Sequence, residues 1–294
     1  MRIVPLRMET LGIVQKPHLE GGEVLLRDII TWASGKKILY DKYSAEALGE
    51  KPTPLGELVN SSDLVVTLGG DGTLLGAGRL VRSQKPLILG VHFGTLGFLT
   101  ESLPHEVRDI LENLDRVSVV ERDLLTVEVV SESGTVTYNT QALNDVVVQR
   151  PMEAGLVTLD IYVDGENLTQ LRADGVIIGT PTGSTAYSLA AGGPIIPPSL
   201  SVILLTPICP HALTHRPIVL PPTSEIEIRV PNPKHHVSVT IDGQETPSLS
   251  SPSRLRVRRA KHSCRLIRSP LRSYFEVLRE KLHWGILNQY REND

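Results

Sequence analysis

The chain has 294 residues, enough for one large or two ordinary domains. Hydrophobic residues make up 40%, charged residues 21%, and the formal net charge is −3, which excludes a disordered tail and gives no reason to expect nucleic acid as a partner. Against 4% aromatics stand 24 glycines and 21 prolines, which follow no collagen period and so belong to turns and tight backbone sites.

Leu11–Val14 is a short apolar run, and Leu19–Trp32 follows with Val24, Leu25, Ile29 and Trp32 near helical spacing. Lys37–Tyr40 reads as a second strand. Asp63–Leu68 is a third, continuous and apolar as a strand covered on both faces should be. Thr73–Arg82 is expected to be a helix, Pro86–Val91 a buried strand, and Pro104–Leu114 a helix with Val107, Ile110, Leu111 and Leu114 on one side. This alternation predicts a parallel sheet with crossover helices over residues 1–116. Beyond residue 116 the texture becomes β-branched: Val117–Val130, Thr135–Gln149, Leu156–Val163 and Asn167–Leu171, with hairpin turns at Ser133-Gly134 and Asp164-Gly165. Glu225–Val230, His236–Ile241 and Arg254–Arg258 alternate in the same way, so 117–270 is expected to be a β-rich, sandwich-like domain. Leu271, Phe275, Leu278 and Leu282 recur at helical spacing, predicting that 271–294 returns as a helix to pack on the first domain.

Cys209 and Cys264 are too few for a disulfide scaffold and lack zinc-ligand spacing, which points to a reduced, cytoplasmic setting. Met1–Glu9 lacks the apolar core of a signal peptide, and no run approaches the roughly 18 uncharged apolar residues of a membrane span, so no membrane is expected.

Three segments carry polar chemistry. Gly69-Gly70-Asp71-Gly72-Thr73 follows a buried strand and precedes a helix, where bare backbone and free N–H groups favour an approaching anion. Asp71 repels phosphate, so it fits by taking a proton from a hydroxyl or by helping to hold a metal. The bland alternative is a strand–turn–helix junction capped by Asp71 or Thr73. There is no P-loop and no GxGxxG fingerprint. The second segment, Arg172 to Pro194, runs a strand at Val176–Ile178 into small hydroxyl residues, glycines and Tyr187, a set suited to reading a base or sugar. Its alternative is a turn-rich connection capped by Thr182, Ser184 or Thr185; the length and lack of charge favour a functional loop. Asn144-Asp145, ahead of Val146–Val148, and Asp242-Gly243-Gln244 are weak alone, since such pairs often make turns. His92 reads as a packed histidine or pocket wall, and Arg254, Arg256, Arg258, Arg259 and Lys261 as a solvated strand face rather than a phosphate site.

Taken jointly, Gly69–Thr73, Gly94–Leu99, Asn144-Asp145, Asp174-Gly175, Gly183–Ser188, Gly192–Pro194, Thr206–His211, Arg216-Pro217, Phe275–Leu282 and Trp284-Gly285 resemble the NAD kinase family. The resemblance implies an α/β N-terminal domain, a β-rich C-terminal domain with NAD in the cleft, and a homodimer or homotetramer. It implies transfer of phosphate from ATP, or in some members polyphosphate, to the adenosine ribose 2′-hydroxyl of NAD, with Mg²⁺ neutralising the donor. By the same resemblance Asp71 would be the general base with Gly72 beside it at the ligand, and Asn144 and Asp145 would hold adenine and ribose. Arg172 and Asp174 would bind around the NAD phosphates and nicotinamide end. Thr185, Ala186, Tyr187, Ser188, Leu189 and Ala190 would line the adenine–ribose site, with Gln244 a peripheral contact; many members carry a basic residue where Gly155 stands. Two other classes share parts of this pattern. A lipid kinase would share Gly69–Thr73 but typically continues with Asn-Glu, where Leu74-Leu75 stands here; a nucleotide-sensing module could dispense with Asp71.

Overall fold

The computed structural model describes residues 8–94, 96–150, 155–232, 236–269 and 272–284. The expectations that involve Met1–Arg7, Thr95, Leu271 and Gly285 lie outside the described residues. In chain order the first elements are β1 (Thr10–Gln15), α1 (Gly22–Trp32), β2 (Lys37–Tyr40), α2 (Lys42–Leu48), α3 (Leu55–Ser61), β3 (Leu64–Gly69), α4 (Asp71–Gly78), β4 (Leu87–His92), α5 (Val107–Glu112) and β5 (Ser118–Arg122). Then come β6 (Leu125–Val130), β7 (Val136–Ala142), β8 (Asp145–Gln149), β9 (Val157–Val163), β10 (Glu166–Ala173), β11 (Gly175–Gly179), α6 (Tyr187–Ala190), β12 (Ile203–Ile208) and β13 (Ile218–Leu220). The chain closes with β14 (Glu225–Arg229), β15 (His236–Ile241), β16 (Ser248–Ser250), β17 (Arg254–Arg259), β18 (Cys264–Arg268) and α7 (Tyr274–Leu282).

Two compact units result. The first comprises residues 1–74, 85–120 and 266–294, and the second 75–84 and 121–265. In the first, a sheet of order β2-β1-β3-β4-β18-β5 pairs β1 with β2, β1 with β3, and β3 with β4 in parallel. Every residue of β3 and β4 is buried, Thr67 and His92 included, as their largely apolar sequences suit. Gly12 on β1 is forced by packing, because a Cβ there would overlap the Leu58 and Ser62 side chains of α3 and its end. α7 begins with a capping box, Ser273 and Glu276 each binding the other's backbone N–H, and buries Val277 and Leu278. The predicted stripe is corrected at Phe275, which is 61% exposed.

The second unit is a two-sheet sandwich, β10-β9-β14-β17-β6-β7 and β13-β12-β11-β8-β15-β16. Its core joins inward residues of both sheets, among them Val127, Val146, Val148, Ile161, Ile178 and Val257, all essentially buried. β8 and β11 read as continuous apolar runs because their other face is covered too: Val147, Ile177 and Ile208 form a second small cluster. The arginines of β17 lie on a polar face, as expected. Arg256 and Arg258 converge on Glu128, with Nη2 contacts at 2.7 and 3.1 Å, and Arg254 meets Glu227 at 2.8 Å.

Candidate active site

In the first unit, β3 delivers Gly69 and Gly70 to the start of α4, where Asp71 occupies the first turn. Gly69 is needed by the fold, since a Cβ would overlap Thr73 and crowd Lys16. At Gly70 and Gly72 a Cβ would meet nothing, so the fold does not ask for glycine there and the space in front of them is open. The Asp71 carboxylate does not cap its own helix. Its partners lie in the loop after β4: Oδ2 accepts the Phe98 N–H at 2.8 Å, and Oδ1 accepts the Leu99 N–H at 3.2 Å, the Thr100 N–H at 2.9 Å and the Thr100 hydroxyl at 2.8 Å. The base of that loop is tied to the sheet, with His92 N–H donating to the Ser102 carbonyl at 2.9 Å and Phe93 N–H to Gly69 at 2.7 Å. Oδ1 is saturated, whereas Oδ2 accepts one bond among the described residues and retains a lone pair for another donor.

Gly97 exists for this arrangement. A Cβ there would overlap Asp71 Oδ1 and the Thr100 hydroxyl. Gly97→Ala is expected to cost about 1–3 kcal/mol of stability through overpacking and to lower turnover by displacing Asp71. Thermal unfolding and steady-state kinetics check this; a variant as stable and active as wild type would contradict the geometry.

In the second unit a cavity of about 280 Å³ is bordered by Asn144, Asp145, Ala186, Tyr187, Asp242 and Gly243. The backbone of Leu143–Asp145 is pinned from both sides. Asp242 accepts the N–H groups of Leu143 and Asn144 at 2.8 Å and of Asp145 at 3.1 Å. Thr180 donates its hydroxyl to the Leu143 carbonyl at 2.6 Å and its N–H to the Asn144 carbonyl at 2.9 Å. With its backbone fixed, Asn144 presents a side chain whose buried Oδ1 has no partner among the described residues. An unpaired buried carbonyl is costly unless something else donates to it. Asp145 is also buried; desolvation and the neighbouring Asp242 charge push its carboxyl up to about 7, partly offset by the Tyr187 N–H. Burial raises Asp242 as well, against the three N–H donors it holds. Tyr187 is 43% exposed at the cavity edge, free to offer a ring face.

The hydroxyl-rich loop is used differently from the expectation. Ser184 donates to the Pro181 carbonyl at 2.7 Å and accepts the Ile196 N–H at 3.0 Å. Ser188 is buried against the Thr206 hydroxyl at 2.9 Å, and Thr185 donates to the Thr182 carbonyl at 3.3 Å. These hydroxyls build the loop; Ala186 and Tyr187 face the cavity, while Thr185, Ser188, Leu189 and Ala190 do not border it. Arg172 and Asp174 lie at the end of β10, Arg172 exposed and Asp174 ion-paired with Arg150 at 2.7 Å, and neither borders this cavity. Gln244 sits beside Gly76, its Oε1 3.3 Å from where a Cβ on that glycine would be. Asp242 is the residue the sequence understates, because Asp-Gly reads as a hairpin corner; its left-handed φ of 50° fits that corner, but its carboxylate organises Asn144.

Both halves of the chain match kinase domains: the ATP-NAD kinase N-terminal domain over residues 49–118 and the ATP-NAD kinase C-terminal domain over residues 143–269. It is 40% identical over 281 residues to the NAD kinase of Geobacter metallireducens, covering 95% of this chain and 99% of that one. It is 41% identical over 285 residues to the NAD kinase of Solibacter usitatus, covering 95% and 98%. A crystal structure of yeast NADH kinase complexed with NADH superimposes with a TM-score of 0.87 at 30% identity, covering 96% of this chain and 90% of that one. The class is therefore a two-domain phosphotransferase built on an α/β unit and a β-sandwich. Within that class, the chain belongs to the NAD kinase family.

Proposed function

We infer that the chain is an ATP-dependent NAD kinase, transferring the γ-phosphate of ATP to the adenosine ribose 2′-hydroxyl of NAD to give NADP. The observation that carries the residue assignment is the orphaned Asn144 Oδ1 in the cavity beside Asp145 and Tyr187. That trio suits an adenosine: Oδ1 accepts from the adenine amine, the Asp145 carboxylate from a ribose hydroxyl, and Tyr187 stacks on the base. Asp71 is assigned as the general base, its Oδ2 taking the 2′-hydroxyl proton, with Gly72 beside it at the ligand, where a Cβ would meet nothing. Phosphoryl transfer through a loose transition state asks more of positioning than of base strength, and the four hydrogen bonds that fix Asp71 supply the positioning. Arg172, Asp174, Thr185, Ser188, Leu189, Ala190 and Gln244 are proposed around the rest of the NAD site on the family resemblance alone, since none of them borders the adenosine cavity.

Among the described residues no three His, Cys, Asp or Glu side chains converge to hold a metal. Mg²⁺ is assigned to the phosphates of ATP on the family resemblance, where it would supply charge neutralisation. The two unbridged cysteines suit a reducing, cytoplasmic compartment. Ile218 and Val219, exposed on the edge strand β13, suit pairing of copies into a homodimer or homotetramer. No helix among the described residues is long and apolar enough to cross a membrane.

Calorimetric titration with NAD tests the adenosine assignment. Asn144→Ala and Tyr187→Leu are each expected to weaken NAD by about tenfold, from a lost hydrogen bond to a buried group and a lost stacking face respectively. Unchanged affinity in both variants would remove NAD from this cavity.

A further inference from the structure

α4 opens with Asp71, yet its residues from Leu75 onward belong to the second unit, together with the segment up to Gln84. The side chain that follows the helix gives a reason. Arg79 is 8% exposed and meets Glu245 Oε1 at 2.7 Å, and the Tyr138 hydroxyl donates to Glu245 Oε2. Arg82 donates from Nη1 to the Arg79 carbonyl at 2.8 Å. A guanidinium leaves water at a cost that one partly exposed carboxylate only partly offsets, so its charge is expected to serve a second group.

That group lies in the turn to which Glu245 belongs. Residues 241–245 form a tight corner, with the Ile241 N–H donating to the Glu245 carbonyl at 2.9 Å and the Gln244 N–H to the Ile241 carbonyl at 2.9 Å. Asp242 is buried in this corner, and its carboxylate gathers the N–H groups of Leu143, Asn144 and Asp145. Gln244 lies against Gly76, so Gly76 and Arg79, three residues apart, back the corner together. Burial raises Asp242, and the Arg79 charge works against that by favouring its ionised form. Against the cost of burial, the bonds from Tyr138 and Arg79 hold Glu245 below the usual carboxylate range. Burial and the Glu245 bond push Tyr138 up to about 12, so it stays a donor. The charged and titratable groups that face one another here are Arg79, Arg82, Tyr138, Asp145, Asp242 and Glu245.

We propose that Arg79 is a positioning residue for NAD, holding the 241–245 corner through Glu245 and supplying the charge with which Asp242 grips the Asn144-Asp145 backbone. The assignment rests on the kinase reading above and extends it to a residue that does not border the adenosine cavity.

The test is calorimetric titration of the full chain with NAD from about pH 5 to about pH 9, alongside steady-state kinetics and thermal unfolding. Arg79→Met is expected to weaken NAD by about tenfold and to raise KM with kcat within about twofold of wild type, because binding shared by ground and transition states is lost. Loss of the cation also raises the pH at which the Asp145–Asp242 pair takes up its first proton, so the acid-side fall in NAD affinity moves to higher pH. Arg79→Lys keeps the charge and should restore most of the affinity and the wild-type profile. Glu245→Gln removes the acid that competes for Arg79, so the acid-side fall moves the other way, to lower pH. A residue that only supported the fold would lower the melting temperature without opposite shifts of the profile. Equal NAD affinity in Arg79→Met and wild type, a kcat loss larger than the rise in KM, or profiles that do not move in opposite directions would overturn the proposal. If Arg79→Met does not fold, the Glu245→Gln profile decides: a shift to lower pH upholds the role of the Arg79 charge, and no shift overturns it. A wild type that binds NAD with this Arg79 dependence but forms no NADP would retire the kinase reading and leave the positioning role standing. A wild type that binds no NAD would overturn both.

Discussion

Asp71→Asn is expected to lower kcat by about 10²–10⁴-fold while NAD binding is retained, the range for loss of a positioned general base. The substitution keeps the size of the side chain and removes its capacity to take the 2′-hydroxyl proton. It also acts on structure. Oδ1 accepts three hydrogen bonds and Oδ2 one, so an amide must turn its NH₂ toward at least one donor from Phe98, Leu99 or Thr100. A stability loss of about 1–3 kcal/mol therefore accompanies the loss of turnover. Thr100→Val separates the two contributions. It removes only the hydroxyl bond to Oδ1, so about 1 kcal/mol of stability and less than tenfold in kcat are expected to go. If Thr100→Val lost as much turnover as Asp71→Asn, Asp71 would be an anchor for the loop and not the base.

Asp145→Asn is expected to give a more stable protein that binds NAD poorly. The folded chain holds the Asp145 proton up to about pH 7, against about 3.9 in an unfolded chain. The folded state thus binds more protons over that window, and stability falls as pH rises from about 4 to 7, then stays low. An amide cannot ionise and also spares Asp242 a neighbouring charge. At pH 8 the variant should gain roughly 2–4 kcal/mol over wild type, and at about pH 4 the two should coincide. NAD affinity should fall by about tenfold or more, because a carboxylate acceptor for a ribose hydroxyl is lost. Thermal unfolding at both pH values with NAD titration checks this. A variant less stable than wild type at pH 8 would show that the Asp145 charge supports the fold.

Much of the architecture was legible because single-face or two-face burial writes itself locally. β3 and β4 are largely apolar runs, and β9, β14 and β17 alternate, as strands in their positions must. α2 and α3 were not visible, since seven residues span two turns and set up no apolar period. β18 reads locally like one more strand of the β-rich stretch, and only its pairing places it between β4 and β5. At the site, Asp71 and Tyr187 stand out because their neighbours are unusual in composition, whereas Asn144-Asp145 is weak alone and is singled out only by the family resemblance. Asp242 does not stand out, because its partner Asn144 lies 98 residues away, and no local pattern encodes that pairing. The hydroxyls of residues 180–188 look like ligand groups, yet Ser184 is consumed by bonds inside its own loop and Ser188 by the Thr206 hydroxyl of β12.

Phosphorus-31 spectroscopy of the products formed from ATP, Mg²⁺ and NAD by the full chain, with diacylglycerol and sphingosine offered in parallel, identifies the phosphoryl acceptor. One new phosphomonoester on the 2′ position of the adenosine ribose is expected, with ADP in equal amount and the lipids untouched. Phosphorylated lipid with NAD unchanged would contradict NAD as the acceptor.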